Sequence, residues 1–169
     1  TGSAAKGMVG LMSLVPQMVD RIRIPVIAAG GIMDGRGLAA SLMLGAEGVQ
    51  MGTAFLTCRE SGANSVYRDA VRKGRDDGTV LTRSFSGKYA RGLRNRFVSE
   101  MEKYEEEWPD YPVQNALTRD IRREAARRGN PDLMSLWAGQ SASLSRSLPA
   151  GELVRNVVRE AQDLLQGKR

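Results

Sequence analysis

The sequence contains no histidine, so any histidine-dependent triad, general base or metal site has to come from outside these 169 residues. Its one cysteine, Cys58, excludes an intrachain disulfide and a cysteine-built metal cluster, and that usage suits a cytoplasmic setting. Aromatic residues make up only 5% of the chain, too few for the stacking platform on which single-stranded nucleic acid is held. No apolar run approaches the roughly 20 residues of a membrane span, and no signal-peptide pattern opens the chain. Neither nucleic acid nor a membrane is therefore expected as a partner.

The apolar share, 41%, is ordinary for a globular protein and enough for a real core. Lys and Arg outnumber Asp and Glu by 25 to 19, a net charge of +6. The excess is spread along helical stretches such as 119–128, which reads as a solvated face.

Along the chain, Met8 to Ile22 carries Leu11, Leu14, Val15, Met18, Val19 and Ile22 at helical spacing, with Pro16 placed to kink the helix or to sit near its first turn. IPVIAAGG follows, a short β-branched apolar run that predicts a parallel strand buried on both faces. Asp34 is placed to cap a helix that runs to Leu44 and stops at Gly45. Gly48 to Met51 predicts a second strand, which leads through Gly52-Thr53 into a helical AFLTCRES. Strand, helix and strand with short links make a βαβ unit. Beyond Gly62 the expectations are a helix over 64–73, an extended segment over 79–85 and a loop over SGKYARG. They continue with helices over 95–107 and from Tyr111-Pro112 to Gly129, a helix start at Pro131, and a last helix over 152–166 with Leu153, Val157, Val158, Ala161 and Leu164-Leu165 inward.

The chemistry is concentrated where the two early strands end, at Gly30-Gly31 and at Gln50-Met51-Gly52-Thr53. A phosphate dianion needs several backbone N–H donors at about 2.9 Å, and a Cβ would block the approach. Glycines remove that obstacle, and a helix starting at Thr53 adds N–H groups and the positive end of its dipole. Thr53 offers a hydroxyl and Gln50 an amide able to face a planar ring. The alternatives are that Gly30-Gly31 is a tight strand-to-helix turn and Gly52 a close packing contact.

IPVIAAGGIMDGRGLAASLMLGAEGVQMGTAFL resembles the signature region of the FMN-dependent nitronate monooxygenases, formerly 2-nitropropane dioxygenases, which FMN-type enoyl-acyl-carrier-protein reductases share. TRSFSGKYARGLRNRF, YPVQNALTRDIRREAARRG and LWAGQS are similar to later segments of the same family. The resemblance implies an α/β fold, the C-terminal portion of a (β/α)8 TIM barrel with an appended helical domain. A whole barrel takes about 250 residues, so the barrel is expected to be incomplete in this chain. The implied division is 1–62 as the last βα units with the FMN phosphate site, 63–148 as a helical substrate-side domain or lid, and 149–169 as a helix packing back on the barrel. FMN is the implied cofactor, contacted at Gly31 and Gln50-Met51-Gly52-Thr53, with Gly30 added from the same turn. The implied activity is oxidation of a nitronate beside the flavin, with oxygen reoxidising it; the alternatives are an enoyl reductase using NAD(P)H and a non-catalytic module for a phosphorylated ligand. The family's catalytic histidine, in a Gly-Gly-His-Arg-Gly loop upstream of the first helix, has no counterpart here. Either that loop precedes Thr1, with TGSAAKG as its tail, or it is lost; an N-terminal barrel segment from the same gene product is the expectation. A homodimer is left open.

Among the other residues, Tyr111, Trp137 and Gln140 are candidates for a substrate pocket or for interface anchors. Ser86, Lys88 and Arg91 are candidates for an anion contact or a solvated loop. Asp34 is read as a cap and Cys58 as a small core residue.

Overall fold

A computed structural model of the protein describes residues 9–168. The expected loop tail, 1–7, and the first residue of the expected opening helix, Met8, lie outside them. Among the described residues the chain is mixed α/β with no closed barrel; its sheets are one parallel pair and one antiparallel pair. It divides into two compact units. One combines 9–62 with 144–168, and the other is Ala63–Ser143.

The first unit begins with α1 (Leu11–Arg21), which keeps Pro16 inside it. Leu11, Val15 and Val19, four residues apart, face a core made with Ala28, Ile32 and Ala46. Leu14 and Met18, at the helical spacing read from the sequence, are exposed, because one helix face is only about three residues wide per two turns. Strand β1 (Ile27–Ala29) and strand β2 (Gly48–Gln50) pair in parallel, with Ala29 opposite Gln50. Burial on both faces of β1 is not what the structure has. Only Ala28 is buried, and Ile27 is 53% exposed, since the described residues cover one face of a two-stranded sheet.

Helix α2 (Gly35–Met43) links the two strands and starts as the sequence predicts. The Asp34 carboxylate accepts from the amides of Arg36 and Gly37 at 3.0 and 3.3 Å. It ends in a Schellman turn in which Gly45 takes φ 93° and the Ala46 amide donates to the Ser41 carbonyl. Helix α7 (Ala150–Leu165) packs against α2, and Leu153 and Val157 share a core with Met33, Ala54 and Cys58. Its inward stripe is Leu153, Val157 and Ala161, whereas Val158, Leu164 and Leu165 are exposed. Gly35 makes the approach of the two helices possible. A Cβ there would sit 2.3 Å from the Glu160 Cβ and 2.5 Å from the Ala161 nitrogen.

The second unit is not purely helical. Strand β3 (Thr79–Thr82) and strand β4 (Ala90–Leu93) form an antiparallel hairpin, so half of the stretch expected as loop is strand. The pairing was hidden because Ala-Arg-Gly-Leu lacks the β-branched composition by which strands are recognised. Short helices flank the hairpin: α4 (Ser65–Arg72), capped by Asn64, and α5 (Arg96–Met101), capped by Asn95. The charged helix expected to reach 107 becomes a 3-10 segment over Glu102–Glu107, and Pro131–Leu133 is a single 3-10 turn. Phe85, Phe97 and Val98 form the core, with Phe85 stacked on Phe97 at 4.6 Å and edge-on to Trp137 at 5.5 Å. Helix α6 (Val113–Arg127) closes the hairpin loop from one side. Its buried Gln114 and Thr118 donate to the carbonyls of Ser84 and Phe85, both at 2.5 Å, so these two buried side chains meet their partners.

Candidate functional site

Because Ala29 and Gln50 lie opposite each other at the ends of parallel strands, the turns that follow leave the sheet side by side. Gly30 (φ 133°) and Gly31 (φ 69°) both occupy the left-handed region that only glycine enters at low cost. The turn is pinned by buried Ala28 before it and by buried Ile32, Met33 and Asp34 after it. Across from it, Met51 directs its side chain between the two cores of the unit, which holds the second turn in place. Gly30, Gly31, Gln50 and Gly52 are exposed and Thr53 is half-buried.

Gly52 is not a packing glycine. A Cβ built there meets nothing within 4 Å, and its φ of −105° suits any residue. Among the described residues, no hydrogen bond uses the amide N–H of Gly31 or of Gly52. The six residues singled out in the sequence are thus on two adjacent turns, with open space over Gly52. A small anion could take both amides there. One expectation needs correction: the helix after Gly52 is α3 (Thr53–Leu56), a single turn of 4 residues. A full macrodipole does not build up over so few peptides, and anion binding at this place falls to individual N–H groups.

A charged network fixes α2 behind the first turn. The Gly35 amide donates to a Glu160 carboxylate oxygen at 3.0 Å, and Arg146 pairs with the same carboxylate. Arg36 pairs with Asp34. Burial pushes the Asp34 carboxyl up, but Arg36 and the Gly37 and Arg36 amides outweigh it, leaving the group below its ordinary value. The Arg146 guanidinium likewise holds Glu160 low against burial. Sequence reading missed Glu160 and Arg146, since 125 residues separate Gly35 from Glu160 and nothing local marks the pairing.

Cys58 is buried in the core, and burial raises its thiol pKa, as expected of a structural cysteine. Among the described residues no cluster of carboxylates and thiols could hold a metal ion, and no helix is long and apolar enough to cross a membrane.

The remaining candidates belong to the second unit. Trp137 packs in its core and its carbonyl accepts from Tyr67 Oη at 2.5 Å, while burial pushes the Tyr67 phenol up to about 12. Tyr111 is half exposed beneath the Lys88 ammonium, 4.6 Å from its ring centre. Gln140 is exposed. Ser86 bonds to Lys88 backbone atoms and Arg91 reaches Thr79, so Ser86, Lys88 and Arg91 do not converge on one point.

Comparison with known proteins identifies relatives of the chain as a whole. The model of the nitronate monooxygenase family matches residues 1–160. A probable nitronate monooxygenase of Staphylococcus saprophyticus is 53% identical over 165 residues, covering 98% of this chain and 46% of that protein. Its counterpart in Staphylococcus aureus is 53% identical over 161 residues, 95% of this chain and 45% of the relative. The chain therefore spans less than half the length of the curated relatives it matches. Among solved structures, nitroalkane oxidase from Streptomyces ansochromogenes superposes with a TM-score of 0.89 at 42% identity, over 94% of this chain and 45% of that one. FabK from Thermotoga maritima gives 0.82 at 36% identity, over 95% and 51%.

Proposed function

The chain belongs to the nitronate monooxygenase family, and from that premise we propose that it forms the cofactor-phosphate end of an FMN-dependent oxidoreductase. The substrate class is nitronates, the anions of nitroalkanes, with molecular oxygen as the electron acceptor. The observation that carries this reading is the pair of adjacent strand ends with unengaged amides at Gly31 and Gly52 and open space over Gly52. In this reading the FMN phosphate accepts from those amides, Gly30 and Thr53 border it, Met51 sets the turn from below, and Gln50 faces the ring system. The flavin, when bound, supplies the electron-transfer chemistry, and the protein orients it and tunes its charge. This chain has no histidine, and we assign no catalytic base within it.

We further propose that the parallel pair belongs to a (β/α)8 barrel completed by an N-terminal segment. A parallel sheet of two strands with an open face is rarely a finished structure, and the share of the relatives that is matched supports the same view. The test is to purify the full-length protein, identify any released flavin, and follow oxygen uptake with a nitronate. A colourless protein that takes up neither FMN nor FAD defeats the reading. One rival is an enoyl reductase using NAD(P)H. Bleaching of the bound flavin by NAD(P)H, with none by a nitronate, would select it.

A further inference from the structure

The turn that carries Gly30 and Gly31 is fixed at both of its ends. At the near end Ala28, on strand β1, is buried in the core. At the far end the chain enters α2 through Asp34 and Gly35, both buried. Between these anchors stand two consecutive glycines at positive φ. Glycine backbone is the least able to keep one conformation unaided, so the far anchor decides how firmly the Gly31 amide is held.

That anchor is supplied from 125 residues away. Gly35 lacks a Cβ, which lets α7 approach until the Glu160 carboxylate accepts from the Gly35 amide at 3.0 Å. Arg146 holds both oxygens of the same carboxylate, with Nη1 against Oε1 and Nη2 3.2 Å from Oε2. Asp34 takes the next two amides, those of Arg36 and Gly37. Two carboxylates thus occupy the first three N–H groups of α2, and that helix end has none of the three to offer a ligand. A dianion at Gly31, within a few residues of these contacts, would be repelled by two uncompensated charges. Arg36 neutralises Asp34 and Arg146 neutralises Glu160, which removes the repulsion.

We propose that Glu160 is a positioning residue for the phosphate turn, acting through the Gly35 amide, with Arg146 as the cation that makes its charge compatible with a bound dianion. This role rests on the phosphate reading of the two glycine turns. Neither side chain is assigned a contact with the flavin.

The experiment compares FMN with riboflavin, the same ring system without the phosphate, on the full-length protein stripped of flavin. Fluorescence titration with each gives a preference for FMN, which in the parent protein should be about a hundredfold or more. Glu160→Ala should lower that preference about tenfold and leave riboflavin binding within about twofold. Glu160→Gln, which keeps an acceptor for Gly35, should restore most of it. Val157→Ala loosens the same helix through the core it shares with Met33, Ala54 and Cys58, and should leave the preference unchanged. A preference kept in Glu160→Ala, unrestored in Glu160→Gln, or lost equally in Val157→Ala overturns the positioning role. If Glu160→Ala fails to fold, Arg146→Gln decides instead, and a preference equal to the parent's overturns the role. A parent protein that binds both flavins equally removes the phosphate reading and this role with it, so the two failures are told apart.

Discussion

A methyl group added at Gly52 and one added at Gly35 should act in opposite ways. Gly52 has open space and an ordinary φ, so Gly52→Ala is expected to change stability by no more than about 0.5 kcal/mol. It would nevertheless stand where the proposed phosphate site lies, and on that reading FMN retention should fall about tenfold or more. Flavin titration together with thermal melting separates the two effects, and equal loss of both would return Gly52 to a packing role. At Gly35 the new Cβ collides with the backbone of α7, so Gly35→Ala should cost about 1–3 kcal/mol in a denaturant melt. The interior of the second unit offers a polar counterpart. Thr118→Val leaves the Phe85 carbonyl without its donor, and about 1–3 kcal/mol of lost stability is expected for a buried orphan.

At the scale of elements, the start of α2 is held by two carboxylates whose folded pKa values are depressed. The sign follows from that depression. The stabilisation is complete above the ordinary values of 3.8 for Asp34 and 4.5 for Glu160 and disappears as pH falls through the lower folded values. Acid titration should therefore destabilise wild type below about pH 4.5. Glu160→Gln should be less stable at neutral pH and show a shallower acid dependence, and an unchanged profile would remove the network from consideration. The strand–helix–strand order, the Asp34 cap and the Gly45 stop were legible in the sequence because each is specified by residues within one turn of the feature. The same holds for the two glycine turns. What was not legible was specified at a distance or by weak local preference: the Arg146–Glu160 support, the one-turn length of α3, and the partner strand Ala90–Leu93. Leu14 and Val158 misled for a related reason, since periodicity gives a stripe but not its width.

For the whole molecule, the unit with the candidate site exposes Met12, Ile24, Ile27 and Met43 and presents a two-stranded parallel sheet. Large apolar side chains left uncovered beside an open sheet attract other chains or dyes. The 169-residue chain made alone should bind an apolar fluorescent dye and aggregate on concentration. Co-expression with the N-terminal half of the Staphylococcus saprophyticus relative should suppress both, and failure to do so would argue against barrel completion. The same unit draws on both ends of the chain, 9–62 and 144–168, with Ala63–Ser143 between them. On the ribosome, the Gly30 and Gly52 turns are made before the helix that backs them, with Ala63–Ser143 synthesised in between. A message broken off after the hairpin unit would thus yield a product with its glycine turns in sequence but without their support, a natural target for cellular proteases.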